Sequence, residues 1–313
     1  MNPTNEKKLK HFKTFTILHP QYREAVETIH RSIQATKLRG EPSCAVLLGD
    51  PGTGKTRVCH QILSEYARPS NVRTEAGLQD IRPSVYCRIP TQVTIKGVLI
   101  SLLSCFETFS AYQSMGALEY RLMTVLKNCQ TQLIILDELQ HLLSRGAART
   151  KETVCDWVKV LTDIFAGEVI LAGTPDCEAI ITAHSALAGR FPYSARLECF
   201  NLNTPESYED FVKLLRAFSI RMKETFGFSE IPELTDEKMA LAMYAFSSGN
   251  MRSIRTLLFQ ALNEALERDG ELQLQDFKTA ANHVKVNTKM TLKNPFELKL
   301  GELHKIVYKK SKK

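Results

Sequence analysis

The sequence predicts an α/β fold: a parallel five-stranded sheet with helices on both faces, followed by a small all-helical lid. Three observations carry this. Five short apolar runs (Ala45 to Leu48, Val85 to Ile89, Leu133 to Leu136, Val169 to Ala172, Leu197 to Leu202) alternate with helical segments, and strands separated by helices need crossover connections. A glycine-rich loop leaves the first strand and opens a helix. From Thr204 onward only helical patterns follow.

Each element has its own signal. A first helix spans 21 to 38, where Tyr22, Ala25, Val26, Ile29, Ile33 and Leu38 recur at helical spacing behind Pro20. Residues 1–40 are thus an N-terminal extension and first helix, and 41–203 the α/β domain. At Thr204-Pro205 a threonine cap with proline in the first helical position opens a long helix bearing Phe211, Leu214, Leu215, Phe218 and Met222. Thr235 opens the next, which runs to Ser248. Asn250 opens a third, with Ile254, Leu257, Leu258, Ala261 and Leu262 on one face and Gly270 past its end. A short helix over 275 to 284 completes a four-helix lid, 204–284.

Residues 285–313 read as a basic tail. The segment 281 to 313 holds nine lysines against Glu297 and Glu302, a net of +7 that equals the net charge of the whole chain. The body is therefore neutral, and any nucleic-acid surface on it has to come from local clustering. In the tail, Leu300, Leu303 and Val307 share one helical face, the pattern of a segment that orders in a partner's groove; the alternative is a disordered basic arm that touches DNA nonspecifically.

No run approaches the roughly 18 apolar residues of a membrane span, and the N-terminus lacks the apolar core of a secretory signal. A cytoplasmic chain without a membrane partner is expected. The eight cysteines are never closer than 15 residues and form no Cys-x-x-Cys pair. They read as small hydrophobes, which sets aside zinc and thiol chemistry.

The chemistry begins at Gly49-Asp50-Pro51-Gly52-Thr53-Gly54-Lys55-Thr56, which fits the phosphate-loop pattern at every fixed position between a strand and a helix. Its backbone amides, continuing to Arg57, would cradle the phosphates of ATP. Lys55 would neutralise the β and γ phosphates, and the Thr56 hydroxyl would coordinate Mg²⁺. Leu133-Ile134-Ile135-Leu136 ends in Asp137 and Glu138, putting two carboxylates at the C-terminal edge of a buried strand, where nucleotides bind in open α/β sheets. Asp137 would help hold the metal and Glu138 would polarise the attacking water.

Thr174 ends the fourth strand and is placed to face the γ phosphate, or else caps the next helix. Arg190, well away from the chain's own phosphate loop, is a candidate arginine finger for a neighbouring subunit, with Arg196 as the second candidate. In the lid, Arg252 sits in the first turn of a helix, a poor place for a cation without a phosphate partner. Arg255, one turn on, is the alternative.

Phosphate loop, Asp-Glu strand, Thr174, Arg190-Phe191 before the fifth strand and Gly249-Asn250-Met251-Arg252 together resemble a P-loop AAA+ ATPase. His19-Pro20-Gln21-Tyr22-Arg23-Glu24-Ala25, Asp137-Glu138-Leu139-Gln140-His141-Leu142 and Leu171-Ala172-Gly173-Thr174-Pro175 are more closely similar to the TniB/TnsC group of transposition regulators. That resemblance implies ATP-dependent oligomerisation of the chain with itself on duplex DNA, linking a target-selection protein to the transposase. The transposase contact is assigned to the tail. Thr174 departs from the Asn that many AAA+ proteins carry there.

Two segments suit DNA phosphates: Thr94 with Lys96 at the start of a helix, and the loop bearing Arg145, Arg149 and Lys151, three cations without an acid. His141 is read as a local hydrogen-bonder and Trp157 as a core residue. Two other functions fit the same residues. One is a replication-initiator or helicase-loader ATPase, although too little apolar sequence follows the lid for a winged-helix domain. The other is a nucleotide-gated DNA scaffold with little hydrolysis.

Overall fold

The computed structural model describes residues 3–75, 77–91, 94–106, 114–143, 148–165 and 167–309. The chain forms two compact units, Gln21–Leu197 on the one hand and Met1–Pro20 with Glu198–Lys313 on the other. It opens with helix α1 (Pro3–Thr14), which belongs to the second unit, and continues into α2 (Pro20–Arg39).

The first unit is built on β1 (Ala45–Gly49), β4 (Ser84–Arg88), β5 (Leu133–Asp137), β6 (Glu168–Gly173) and β7 (Tyr193–Leu197), parallel throughout, in the order β4-β5-β6-β1-β7. Strand β1 is buried along its whole length, with alternate residues serving opposite faces. Val46 and Leu48 face a core made with α4 (Ile95–Ser104), α5 (Met115–Asn128) and α6 (Ala148–Ile164). Ala45 and Leu47 face one made with α2 and α3 (Lys55–Ser64). Burial on both faces is the reason such strands read as continuous apolar runs. Trp157, 8% exposed, lies in the first of these cores as expected.

Within this first unit two features depart from the sequence reading. The fifth strand is Tyr193–Leu197, in register from Ala45↔Tyr193 to Gly49↔Leu197, not the apolar run from Leu197 to Leu202. As the sheet's edge it needs only one dry face, so exposed Ser194 and Arg196 alternate with buried Ala195 and Leu197. Phe200 and Leu202 are buried instead in the second unit. Between α3 and β4 stands an antiparallel hairpin, β2 (Ser70–Thr74) and β3 (Gly77–Ile81), which has little apolar patterning because it is largely exposed.

The second unit holds α1, α9 (Pro205–Phe226), α10 (Glu237–Ser247), α11 (Met251–Glu267), α12 (Leu274–His283) and α13 (Leu300–Lys309) around one apolar core. Thr204 caps α9 through a reciprocal box with Ser207, and Asn250 caps α11. Asp236, rather than Thr235, caps α10, accepting from the Met239 amide at 3.3 Å. Gly249 holds φ +72°, and a Cβ there would collide with the Phe200 carbonyl, so the turn before α11 requires glycine.

The segment after 284 differs from the expected free tail. Phe296, Leu298, Leu303 and Val307 are buried in the helical core, with the Phe296 and Phe277 rings 5.7 Å apart. The apolar face at Leu303 and Val307 is filled by the chain's own α10 side, which leaves Lys305 outward. Leu300 lies at the edge, 37% exposed.

Candidate nucleotide site

The phosphate loop leaves the C-terminal end of β1 and wraps into α3. A Cβ on Gly49 would strike the Leu197 carbonyl and the Thr53 hydroxyl, while Gly52 and Gly54 take φ of +89° and +115°. These conformations keep the backbone close to whatever the loop encloses and aim the first amides of α3 into it. Thr53 is buried, and its hydroxyl donates to the Asp50 carbonyl at 2.9 Å. Lys55 Nζ donates to the carbonyls of Gly49 at 2.5 Å and Asp50 at 3.1 Å. Burial pulls its pKa down against the opposing charges of Asp137, Glu138 and Asp50. The ammonium therefore lies in the loop, held by weak carbonyl acceptors that a phosphate would outcompete.

Asp137 closes β5 beside it, 3% exposed. Its Oδ2 accepts from the Thr56 hydroxyl at 3.3 Å and from the Tyr86 hydroxyl at 2.5 Å, and its Oδ1 accepts from the Glu138 amide at 2.8 Å. Burial and this bond to Asp137 push the Tyr86 pKa up, so the phenol remains a donor. The hydroxyl of Thr56 and the carboxylate of Asp137 are the hard oxygen donors that suit Mg²⁺. Among the described residues no group of three His, Cys, Asp or Glu converges on a metal, so these two would share it with phosphate oxygens, as Mg²⁺ commonly requires.

Glu138 follows in the left-handed region, φ +65°, which turns it off the strand. Its Oε1 accepts from Arg88 Nη2 at 2.5 Å, and its Oε2 accepts from the Gln140 amide. Burial would raise the carboxyl, but hydrogen bonding and charge from Arg88, with Gln140 and His141, hold it below its ordinary value. Gln140 in turn accepts from the Thr174 amide at 3.3 Å, linking Glu138 to the end of β6, which lies between β1 and β5. Thr174 Oγ1 rests 3.9 Å from Cys177 Sγ and makes no cap for α7 (Cys177–Ala183), whose cap position is Asp176. His141 Nδ1 meets the Ile89 carbonyl at 2.8 Å, the local role expected of it.

The remaining candidates are spread out. Arg190 follows α8 (Ser185–Ala188), and its carbonyl accepts from the Cys44 amide at the start of β1, the edge opposite the phosphate loop. Its Nε donates to Asp163 at 2.6 Å. Arg196 pairs with Glu178 and lies opposite Leu48 in register, near the loop end of the sheet. In the second unit Arg252 is exposed in the first turn of α11, whereas Arg255 donates to the Phe15 carbonyl at 2.5 Å and covers the Phe218 ring. Arg57 lies in α3, half-buried. Thr94 caps α4 by accepting from the Gly97 amide at 2.9 Å, with half-buried Lys96 in its first turn. Arg145 lies outside the described residues. Arg149 and Lys151 fall within α6, and their side chains lie outside them too.

Sequence reading missed Arg88, Tyr86 and the role of Gln140. The available signal was positional: a cation and a phenol at the end of the strand that borders the Asp-Glu strand, with Arg88 in register with Asp137.

Residues 10–201 match the family described as "Bacterial TniB protein". None of the curated proteins compared matches the chain. Among solved structures, the Aeropyrum pernix ORC1 protein in complex with DNA superposes with a TM-score of 0.60 at 17% identity, over 86% of this chain and 66% of that one. Cdc6p from Pyrobaculum aerophilum gives 0.57 at 12%, over 85% and 67%. Domain III of the Thermotoga maritima replication initiation protein DnaA gives 0.52 at 16%, over 87% and 95%. The chain thus spans about two thirds of the first two. These likenesses show the fold, that of the AAA+ ATPases, with a helical region after the sheet.

Proposed function

Because this chain belongs to the TniB family, we propose that it is an ATP-hydrolysing regulator of DNA transposition that assembles with itself on duplex DNA. The observation that carries the ATPase reading is the convergence of Lys55, Thr56, Asp137 and Glu138 at the ends of β1 and β5. Lys55 would leave its carbonyls for the β and γ phosphates, and the loop amides would hold them in line. Thr56 and Asp137 would hold Mg²⁺, which supplies charge neutralisation at the transferring phosphoryl group when bound. Glu138, a carboxylate at neutral pH, would orient a water for attack. In the present geometry Arg88 and Gln140 occupy both its oxygens. Each oxygen keeps a lone pair, but a water has to compete there with a cation and an amide, and this favours a second, gated reading in which bound ATP is hydrolysed slowly until the Arg88 pair is released.

Arg190 is proposed to complete a neighbour's site, since its backbone stands at the opposite edge of the sheet from its own loop. Arg252, exposed where Arg255 is engaged by Phe15, is proposed as the lid's phosphate sensor. Thr94, Lys96, Arg145, Arg149 and Lys151 remain the proposed DNA contacts of the first unit. The target selector and the transposase are proposed partners. The C-terminal contact with the transposase is reassigned to the outward Lys299 and Lys305 at α13, because the apolar face of that helix is buried.

Phosphate release measured with and without duplex DNA tests this. The parent should hydrolyse ATP faster with DNA. Lys55→Ala should neither bind nor hydrolyse, and Glu138→Gln should bind without hydrolysing. Normal ATP affinity in Lys55→Ala would overturn the site.

A further inference from the structure

Helix α1 carries Lys7, Lys8, Lys10 and Lys13 against Glu6. Its apolar side is used up inside the second unit: Leu9 and Phe12 are buried, and the Phe12 ring lies 6.2 Å from Phe218 and 5.9 Å from Phe226. Lys8 is tied down as well, its Nζ donating to the Phe226 carbonyl at 3.2 Å. The helix is thus anchored, and every exposed position from Thr4 to Thr14 is polar or charged. Without an outward apolar residue it cannot enter a bilayer or a partner's apolar groove.

What it presents is a fixed row of cations. Lys7 to Lys13 spans about 9 Å at 1.5 Å per residue, room for two or three phosphates of one duplex strand at about 3.4 Å each along the axis. Beside the row, Arg221 Nη2 lies 2.6 Å from His11 Nε2. A guanidinium only donates, so His11 Nε2 is the acceptor in this arrangement. The Arg221 charge otherwise has the Phe15 ring at 4.9 Å and Glu224 at 3.5 Å. Its Nε is buried without a hydrogen-bond partner among the described residues. The pair of Lys10 with Glu6 is exposed and so holds that ammonium weakly.

We propose that the outer face of α1, formed by Lys7, Lys10, His11 and Lys13 with Arg221 of α9 behind them, is a second DNA-contacting surface that grips the phosphate backbone. It rests on the reading of the chain as a DNA-assembling protein and adds to it a surface in the helical unit, independent of Lys96 and the cations of α6. Contacts of this kind carry no sequence preference, and assembly multiplies them by the number of subunits.

The test is the salt dependence of affinity for a labelled duplex, with ATP present, for the full chain and for Lys7→Glu/Lys10→Glu/Lys13→Glu. Thermal midpoint and ATP affinity are measured alongside. The substituted positions are exposed, so both should match the parent. The variant should bind at least tenfold more weakly at moderate salt, and the slope of log affinity against log salt should shrink by about 0.9 for each DNA phosphate the variant no longer neutralises. A variant that matches a DNA-binding parent in affinity and slope would overturn this surface and leave the assembly reading standing. A parent that binds no duplex would overturn both.

Discussion

Arg88, the last residue of β4, reaches across to β5 and holds the Glu138 carboxylate 2.5 Å from its guanidinium. The two lie 50 residues apart in sequence; Arg88 ends β4, and Glu138 directly follows its parallel neighbour β5. Glu138, proposed above as the general base, is held as a carboxylate by this contact, and a water has to compete with the guanidinium for its Oε1.

Removing that contact should speed the chemistry. Arg88→Ala is expected to raise DNA-independent phosphate release several-fold. Because Arg88 holds the Glu138 pKa down, the acidic limb of the rate profile should move to higher pH in the variant. Steady-state rates across pH check both, and a rate as low as that of Glu138→Gln would show that Arg88 assists rather than restrains.

A second carboxyl makes stability depend on pH. Glu168, 2% exposed at the start of β6, has its pKa pushed up to about 7 by burial, against the lowering effect of hydrogen bonds from Ser32 and Thr36. A folded pKa above the unfolded one gives stability that is full below about pH 4 and lost as pH rises through 7. The first unit should therefore be more stable at pH 5 than at pH 8, by about 3 kcal/mol at most. Glu168→Gln should flatten that dependence in chemical denaturation, and an unchanged slope would contradict it.

The C-terminal segment should behave as part of the helical unit. Leu303→Ala removes a fully buried side chain and is expected to cost about 2–5 kcal/mol. Deletion of 285–313 should lower the thermal midpoint further. Lys299→Glu/Lys305→Glu, both exposed, should leave the fold intact and weaken transposase pull-down. A deletion with the parent's midpoint would restore the picture of a free tail.

Arg190 should act in trans. Mixing Arg190→Ala with Glu138→Gln subunits should recover part of the missing hydrolysis, since one kind of mixed interface joins an intact finger to an intact base. Mixed oligomers that are shown to form and stay inactive would remove Arg190 from the site and turn attention to Arg196.

The elements legible in the sequence were those whose signal is local. The phosphate loop, the first four strands of the parallel sheet and the caps at Thr204 and Asn250 each depend on neighbours within a few residues. Helix α1 was missed because only Leu9 and Phe12 of its twelve residues are buried. The fifth strand was misplaced because apolar Phe200 and Leu202 serve the other unit's core, while the true edge strand carries Ser194 and Arg196 on its wet face. Leu303 and Val307 were correctly seen to share a face, but periodicity does not reveal that the groove they fill is the chain's own. The contacts Arg88–Glu138 and Tyr86–Asp137 span 50 and 51 residues and follow from strand order, which no short pattern encodes.

The central claim, assembly on duplex DNA driven by bound ATP, is tested most directly by sedimentation velocity of the chain with duplex DNA, with and without ATP. A DNA-associated multimer that needs ATP, disappears in Lys55→Ala and persists longer in Glu138→Gln is the expected result. A chain that stays monomeric with both ligands present, or a multimer indifferent to ATP and to Lys55→Ala, would contradict it.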